Sequence, residues 1–169
     1  VNIVTEKLFK KYKTIADYAS ASLSEMEQDV YQTGFYRNKA KNLIAAAQKV
    51  QNDFNGELPR TLAEMITIPG AARKTANVVL ATLYGVSEGI AVDTHVRRFV
   101  IRFDLSDYTD PIRIERDLMQ IMPQELWWGF NHRLVNYGRD YCKAHTHDCK
   151  NHPLTKVYPK ANTIWPKAK

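Results

Sequence analysis

Residues 61–95 read TLAEMITIPGAARKTANVVLATLYGVSEGIAVDTH, and the breaks in this stretch decide the fold. Thr61-x-x-Glu64 has the form of a capping box, and Met65, Ile66 and Ile68 give the helix it opens an apolar side. Pro69-Gly70 ends that helix: Pro has no N–H and restricts the residue before it, while Gly permits positive φ. A second helix is predicted from about Ala72. Its Ala76, Val79, Leu80 and Leu83 recur at helical spacing, and Gly85 is its stop.

Two helices hinged in this way leave free backbone N–H groups at a helix N-terminus, together with the positive end of the helix dipole. That is an anion site, and phosphate is the obvious anion. Lys74 falls in the first turn of the second helix. A neutral lysine amine is a nucleophile that attacks an electrophilic sugar carbon and forms a Schiff base. Further on, Ile90-Ala91-Val92 reads as an apolar extended stretch running into a new helix at Asp93-Thr94-His95. Asp93 is predicted as the N-cap, its carboxylate held by backbone N–H groups.

Pro69-Gly70-x-x-x-Lys74-Thr75-Ala76 followed by Val92-Asp93-Thr94-His95 resembles the helix-hairpin-helix and Gly/Pro-Asp signature of DNA glycosylases. Within them the chain is most similar to the endonuclease III family, from about Val1 to Cys149. The resemblance implies an all-α, two-lobed fold with base-excision activity on duplex DNA carrying a damaged base or an abasic site. It implies that Lys74 is the Schiff-base nucleophile and Asp93 the catalytic carboxylate. Phe35 would be the apolar residue wedged into the base stack. The lobes are expected at 17–91, a six-helix-barrel type incomplete at its N-terminus with the hairpin at 62–84, and at 1–16 with 92–169. The family has a further segment before this point, so the chain reads as N-terminally shortened.

The bulk properties agree with that picture without proving it. The 169 residues suffice for a real core, as one domain or two packed lobes. A net charge of +6 fits a polyanion partner. No apolar run reaches membrane-spanning length and no signal-peptide core is visible, so no membrane partner is expected. Two cysteines make no disulfide framework, and the default is a reducing, cytoplasmic, nucleoid-associated monomer.

Clean alternation is absent, which leaves helices throughout. Val1 to Tyr12 reads as helix through Val1, Val4 and Leu8. Ser24-x-x-Glu27 is read as a capping box for a helix closing near Gly34. Phe35-Tyr36-Arg37-Asn38-Lys39 is read as a loop before a long helix ending at Gly56. Tyr36, Arg37 and Lys39 beside Phe35 suit duplex DNA, with cations for phosphate and an apolar wedge for a base step. The bland alternative makes Phe35 a core residue and the cations a solvated face. A helix over Val92 to Phe103 carries Arg97, Arg98 and Arg102. Asp110-Pro111 opens another, to Met122, and Pro123 begins the last, with Gly138 as its stop. Gly70, Ala71, Ala72 and Arg73 are assigned to phosphate.

Cys142 and Cys149 resemble the opening of the family's four-Cys iron–sulfur loop, whose further thiolates fall where this chain has His152 and Tyr158. The loop at 142–158 is therefore read as degenerate, with the iron–sulfur cluster absent and no cofactor. A zinc alternative uses Cys142, Cys149 and some of His145, His147 and His152, at a spacing unlike common zinc motifs. Without metal, two free thiols would be tied down by Leu154, Val157, Tyr158 and Trp165.

The leading function is excision of an oxidised pyrimidine followed by β-elimination at the abasic site. A monofunctional glycosylase of the same superfamily is the alternative, and Lys74 speaks against it. A non-catalytic helix-hairpin-helix DNA-binding module is the third reading. His95 is read as structural.

Overall fold

The computed structural model describes residues 2–162, and every regular element in them is helical. No strand occurs among the described residues, as the all-α expectation requires. Trp165 lies outside them. Among the described residues no helix is long and apolar enough to cross a membrane. Contacts group the chain into two units, Val1–Ala72 and Arg73–Lys169.

The first unit holds α1 (Asn2–Lys11), α2 (Ile15–Ala19), α3 (Leu23–Val30), α4 (Tyr36–Asp53) and α5 (Leu62–Met65). Its core gathers Leu8, Tyr12, Met26, Val30 and Ala40. Thr14 and Asp17 form a reciprocal capping box on α2 that the sequence reading did not single out. Helix α3 opens two residues earlier than expected. Ser22, not Ser24, is its N-cap, and the Ser22 hydroxyl accepts from the Glu25 N–H at 3.2 Å. Residues 36–39 are not a loop, because α4 begins at Tyr36. The cause is Phe35, whose φ of 50° places it in the left-handed region and turns the chain directly into the helix.

In α5 the Thr61 hydroxyl accepts from the Glu64 N–H at 3.3 Å, as the capping box predicts. The helix is one turn long. Met65 and Ile68 are buried while Ile66 faces solvent, so only part of the expected apolar side is used. Gly70 takes φ +80°, and a Cβ there would lie 3.1 Å from the Asn42 Cβ, so both conformation and space favour glycine.

The second unit holds α6 (Arg73–Tyr84), α7 (Thr94–Arg102), α8 (Pro111–Ile121), α9 (Trp127–Asp140) and α10 (Pro153–Val157). Ile90, Val92, Val96, Phe99, Val100, Ile114, Leu118, Leu134 and Tyr137 form its core, together with Cys142 and Cys149. Full burial of a side chain such as Phe99 contributes about 1.5–3 kcal/mol. On α6 the buried face is Ala76, Asn77, Leu80 and Ala81, whereas Leu83, expected inside, is exposed. Gly85, at φ +66°, ends the helix as predicted.

Gly138 is not a stop. It lies inside α9, buried, and a Cβ there would sit 2.5 Å from His95 Nδ1 and 2.9 Å from Arg98 Nη2. Close approach of two helices, not a turn, is its reason. A 3-10 turn over Gln124–Leu126 separates Pro123 from α9. Asp110-Pro111 opens α8 as expected, with Asp110 accepting from the Arg113 N–H at 3.0 Å.

Candidate active site

Lys74 sits in the exposed first turn of α6, where the backbone N–H groups have no partner within the helix. Arg73, just before it, is anchored. Its Nε donates to Glu115 Oε2, and the Glu115 side chain on α8 is almost fully buried. The other Glu115 oxygen accepts from Asn77 Nδ2 at 2.9 Å and from the Ile90 N–H at 3.2 Å. One buried carboxylate therefore holds the start of α6, its second turn and the segment leading to Asp93. Three donors on one carboxylate satisfy a charge that burial alone would make costly. Gly89 makes room for it, because a Cβ there would lie 2.0 Å from Glu115 Oε1. Sequence reasoning missed Glu115, a lone acid on an amphipathic helix with no motif to mark it.

Asp93 caps α7 as predicted. Its Oδ1 accepts from the His95 N–H at 2.8 Å and the Val96 N–H at 2.9 Å. Both cap bonds use Oδ1, so Oδ2 carries none of them. The segment before it is fixed two residues upstream, where Asn131 Nδ2 on α9 donates to the Ala91 carbonyl at 2.9 Å. Lys74 and Asp93 belong to one unit, and the Glu115 network ties the segments that carry them.

Two of the four residues assigned to phosphate are engaged elsewhere. The Ala71 N–H donates to the Ile68 carbonyl at 3.0 Å and is spent on the turn. Gly70 and Ala72 make no backbone N–H bond of that kind among the described residues. Arg73, assigned to phosphate, has its guanidinium engaged by Glu115.

In the first unit Phe35 is 87% exposed at the start of α4. That excludes the core alternative for it. Tyr36 is half-buried with the Arg37 guanidinium over its ring at 5.6 Å, and Lys39 Nζ donates to the Thr33 carbonyl at 2.7 Å. A cavity of about 820 Å³ also lies in this unit, lined by Val4, Leu8, Tyr12, Leu43 and Gly70 among others. It is apolar and holds neither Lys74 nor Asp93, so size does not mark the reactive site.

The 142–158 loop requires a correction. It is not the cofactor-free segment the sequence predicts: Cys142, His147, Cys149 and His152 each bring one ligand atom into a group whose members all lie within 4.8 Å of one another. Both sulfurs are buried, 4.0 Å apart. Burial pushes the Cys142 thiol up to about 11, against the opposing pull of the Arg102 guanidinium. Burial also lowers the pKa of His152, favouring the neutral imidazole. His152 Nδ1 is buried with no hydrogen-bond partner among the described residues. An orphaned imidazole nitrogen facing two thiols is what a metal-binding loop presents. The expected packing of free thiols under Val157 is not found, since Val157 is 82% exposed.

Comparison with known proteins bears on the whole arrangement. The model of the HhH-GPD superfamily of base excision DNA repair proteins matches residues 1–124. Endonuclease III of Synechocystis sp. is 45% identical over 161 residues, covering 95% of this chain and 74% of that relative. Endonuclease III of Bacillus subtilis is 43% identical over 158 residues, 93% of this chain and 72% of the relative. A trapped endonuclease III–DNA covalent intermediate superposes with a TM-score of 0.86 at 42% identity, covering 92% of this chain and 73% of that one. A non-covalent endonuclease III–DNA complex gives 0.88 at 41%, over 96% and 76%. These similarities weigh further against a cofactor-free loop, because it aligns with relatives of the kind whose loop carries a cluster.

Proposed function

The chain belongs to the endonuclease III family of helix-hairpin-helix base-excision repair proteins, and from that we propose how its own residues act. The protein is a bifunctional DNA glycosylase and abasic-site lyase, with oxidised pyrimidines as its substrate class. The observation that carries the assignment of roles is the Lys74 amine, exposed in the first turn of the helix that follows the Pro69-Gly70 turn.

The damaged nucleotide leaves the base stack, because the sugar carbon is unreachable inside a duplex. Departure of the base builds positive charge on the sugar, which the Asp93 carboxylate stabilises. The lone pair of Lys74 Nζ forms a bond to C1′ as the C1′–base bond breaks, and the base leaves with its electron pair. The sugar ring then opens to an imine with Nζ. The imine acidifies the C2′ proton, whose loss expels the 3′ phosphate oxygen by β-elimination. Gly70 and Ala72 N–H groups and the α6 N-terminus bind a phosphate beside the lesion. Phe35, with Arg37 and Lys39 beside it, enters the opened step.

The lobes of this reading are 17–91 and 1–16 with 92–169, a division by helical barrel rather than by contact. The protein works as a monomer at the chromosome, in the cytoplasm.

The test is a duplex carrying one oxidised pyrimidine. Wild-type protein is expected to nick it on the 3′ side. Phe35→Ala is expected to nick it at least roughly tenfold more slowly, the scale of a lost base–aromatic contact. Its thermal stability should be unchanged, because the ring supports no core. No nicking by wild type of this duplex or of an abasic one contradicts the function. Full-rate nicking by Phe35→Ala contradicts the wedge.

A further inference from the structure

We propose that Cys142, His147, Cys149 and His152 hold one tetrahedral divalent metal ion, of which zinc has the matching chemistry. A Cys₂His₂ set around a single zinc has Zn–S near 2.3 Å and Zn–N near 2.0–2.1 Å, which puts the sulfurs about 3.8 Å apart and a sulfur about 3.5 Å from a nitrogen. The Cys142 and Cys149 sulfurs are 4.0 Å apart, and the Cys149 sulfur is 3.4 Å from His147 Nε2. All four donors fall within 4.8 Å of one another, near enough for small side-chain adjustments to bring them onto one ion. A four-iron cluster places each protein ligand on a different iron, at the corners of a wider cage, and in its usual form takes four thiolates. The ligands of a two-iron cluster with two histidines are likewise split between separate irons. The spacing here suits neither.

The surroundings are those of a ligating loop. His147 Nδ1 lies 2.7 Å from the His145 carbonyl, which only accepts, so in the neutral ring Nδ1 carries the proton and Nε2 presents its lone pair. A histidine held through its other nitrogen is the usual support of a metal ligand. Buried Arg102 donates through Nη1 to the Cys142 sulfur at 2.7 Å and through Nε to the Ala161 carbonyl at 2.6 Å. Arg98 Nη2 donates to the Cys142 carbonyl at 2.7 Å. On the other limb the Thr155 hydroxyl donates to the Cys149 carbonyl. The ion closes a loop whose backbone is already fixed at both ends. Two thiolates neutralise its charge, and its role is to pin residues 142–152 against the core of the second unit.

The test uses the full chain, purified without chelator or affinity metal, and measures zinc, iron and acid-labile sulfide per chain. About one zinc with no sulfide is expected. Replacement by Co²⁺ should give the intense visible bands of a tetrahedral site with a thiolate-to-cobalt charge-transfer transition. That transition should weaken in Cys149→Ser, and the visible bands should change in His147→Ala. If either variant fails to fold, metal stoichiometry and the cobalt spectrum of the wild-type chain still decide. Iron with matching sulfide overturns the proposal. So does wild-type protein that takes up neither Zn²⁺ nor Co²⁺ when both are offered in excess under reducing conditions.

Discussion

Lys74→Gln is expected to abolish strand cleavage at an abasic site while leaving the fold and DNA binding intact. The side chain is exposed, makes no ion pair among the described residues and lies in the first turn of α6, so its replacement removes no buried contact. The start of that helix is fixed by Arg73 and Asn77 on Glu115, not by Lys74. Gln keeps nearly the length of the side chain and a polar tip but has no amine that forms an imine. The loss is therefore chemical, and single-turnover cleavage should fall on the order of a thousandfold or more, the scale seen when a covalent nucleophile is removed. Melting temperature and retention of an abasic duplex should stay close to wild type. Undiminished cleavage would remove Lys74 from the mechanism.

The second large effect is at Asp93. Asp93→Asn should slow release of a damaged base by about 10²–10³-fold, the usual cost of deleting one electrostatic contact to a charged transition state. Asn is as good an N-cap as Asp, so the bonds from the His95 and Val96 N–H groups survive and α7 keeps its start. The substitution thus separates capping from catalysis, which Asp93→Ala would not. Base excision is measured by alkali-revealed strand breaks, so that the lyase step does not enter. Binding to an abasic duplex should be spared. An unchanged excision rate would leave Asp93 with a structural role only.

Much of this site was readable from the chain because local chemistry is stiff. Thr61, Asp93 and Asp110 cap the helices they were expected to cap, since a side-chain oxygen placed two or three residues before free N–H groups has few other uses. Gly70 and Gly85 take positive φ for equally local reasons. What escaped is what depends on distant partners. Gly138 looked like a stop because its reason is His95 and Arg98 on another helix. Glu115 gave no signal, since nothing nearby in sequence says that it will be buried among Arg73, Asn77 and Ile90. Phe35 is read as a wedge with a core residue as the alternative, and only its exposure in the folded chain removes the core reading. The 142–158 loop was misjudged for the same reason. Counting thiolates at the family's spacing leaves His147 to the zinc alternative alone, although it reaches the Cys149 sulfur from a position outside that spacing.

The most direct measurement is borohydride reduction during reaction with an abasic duplex, followed by peptide mapping of the trapped complex by mass spectrometry. The account predicts one adduct, on the amine of Lys74. An adduct on any other amine, or none from a protein that still cleaves the duplex, contradicts it.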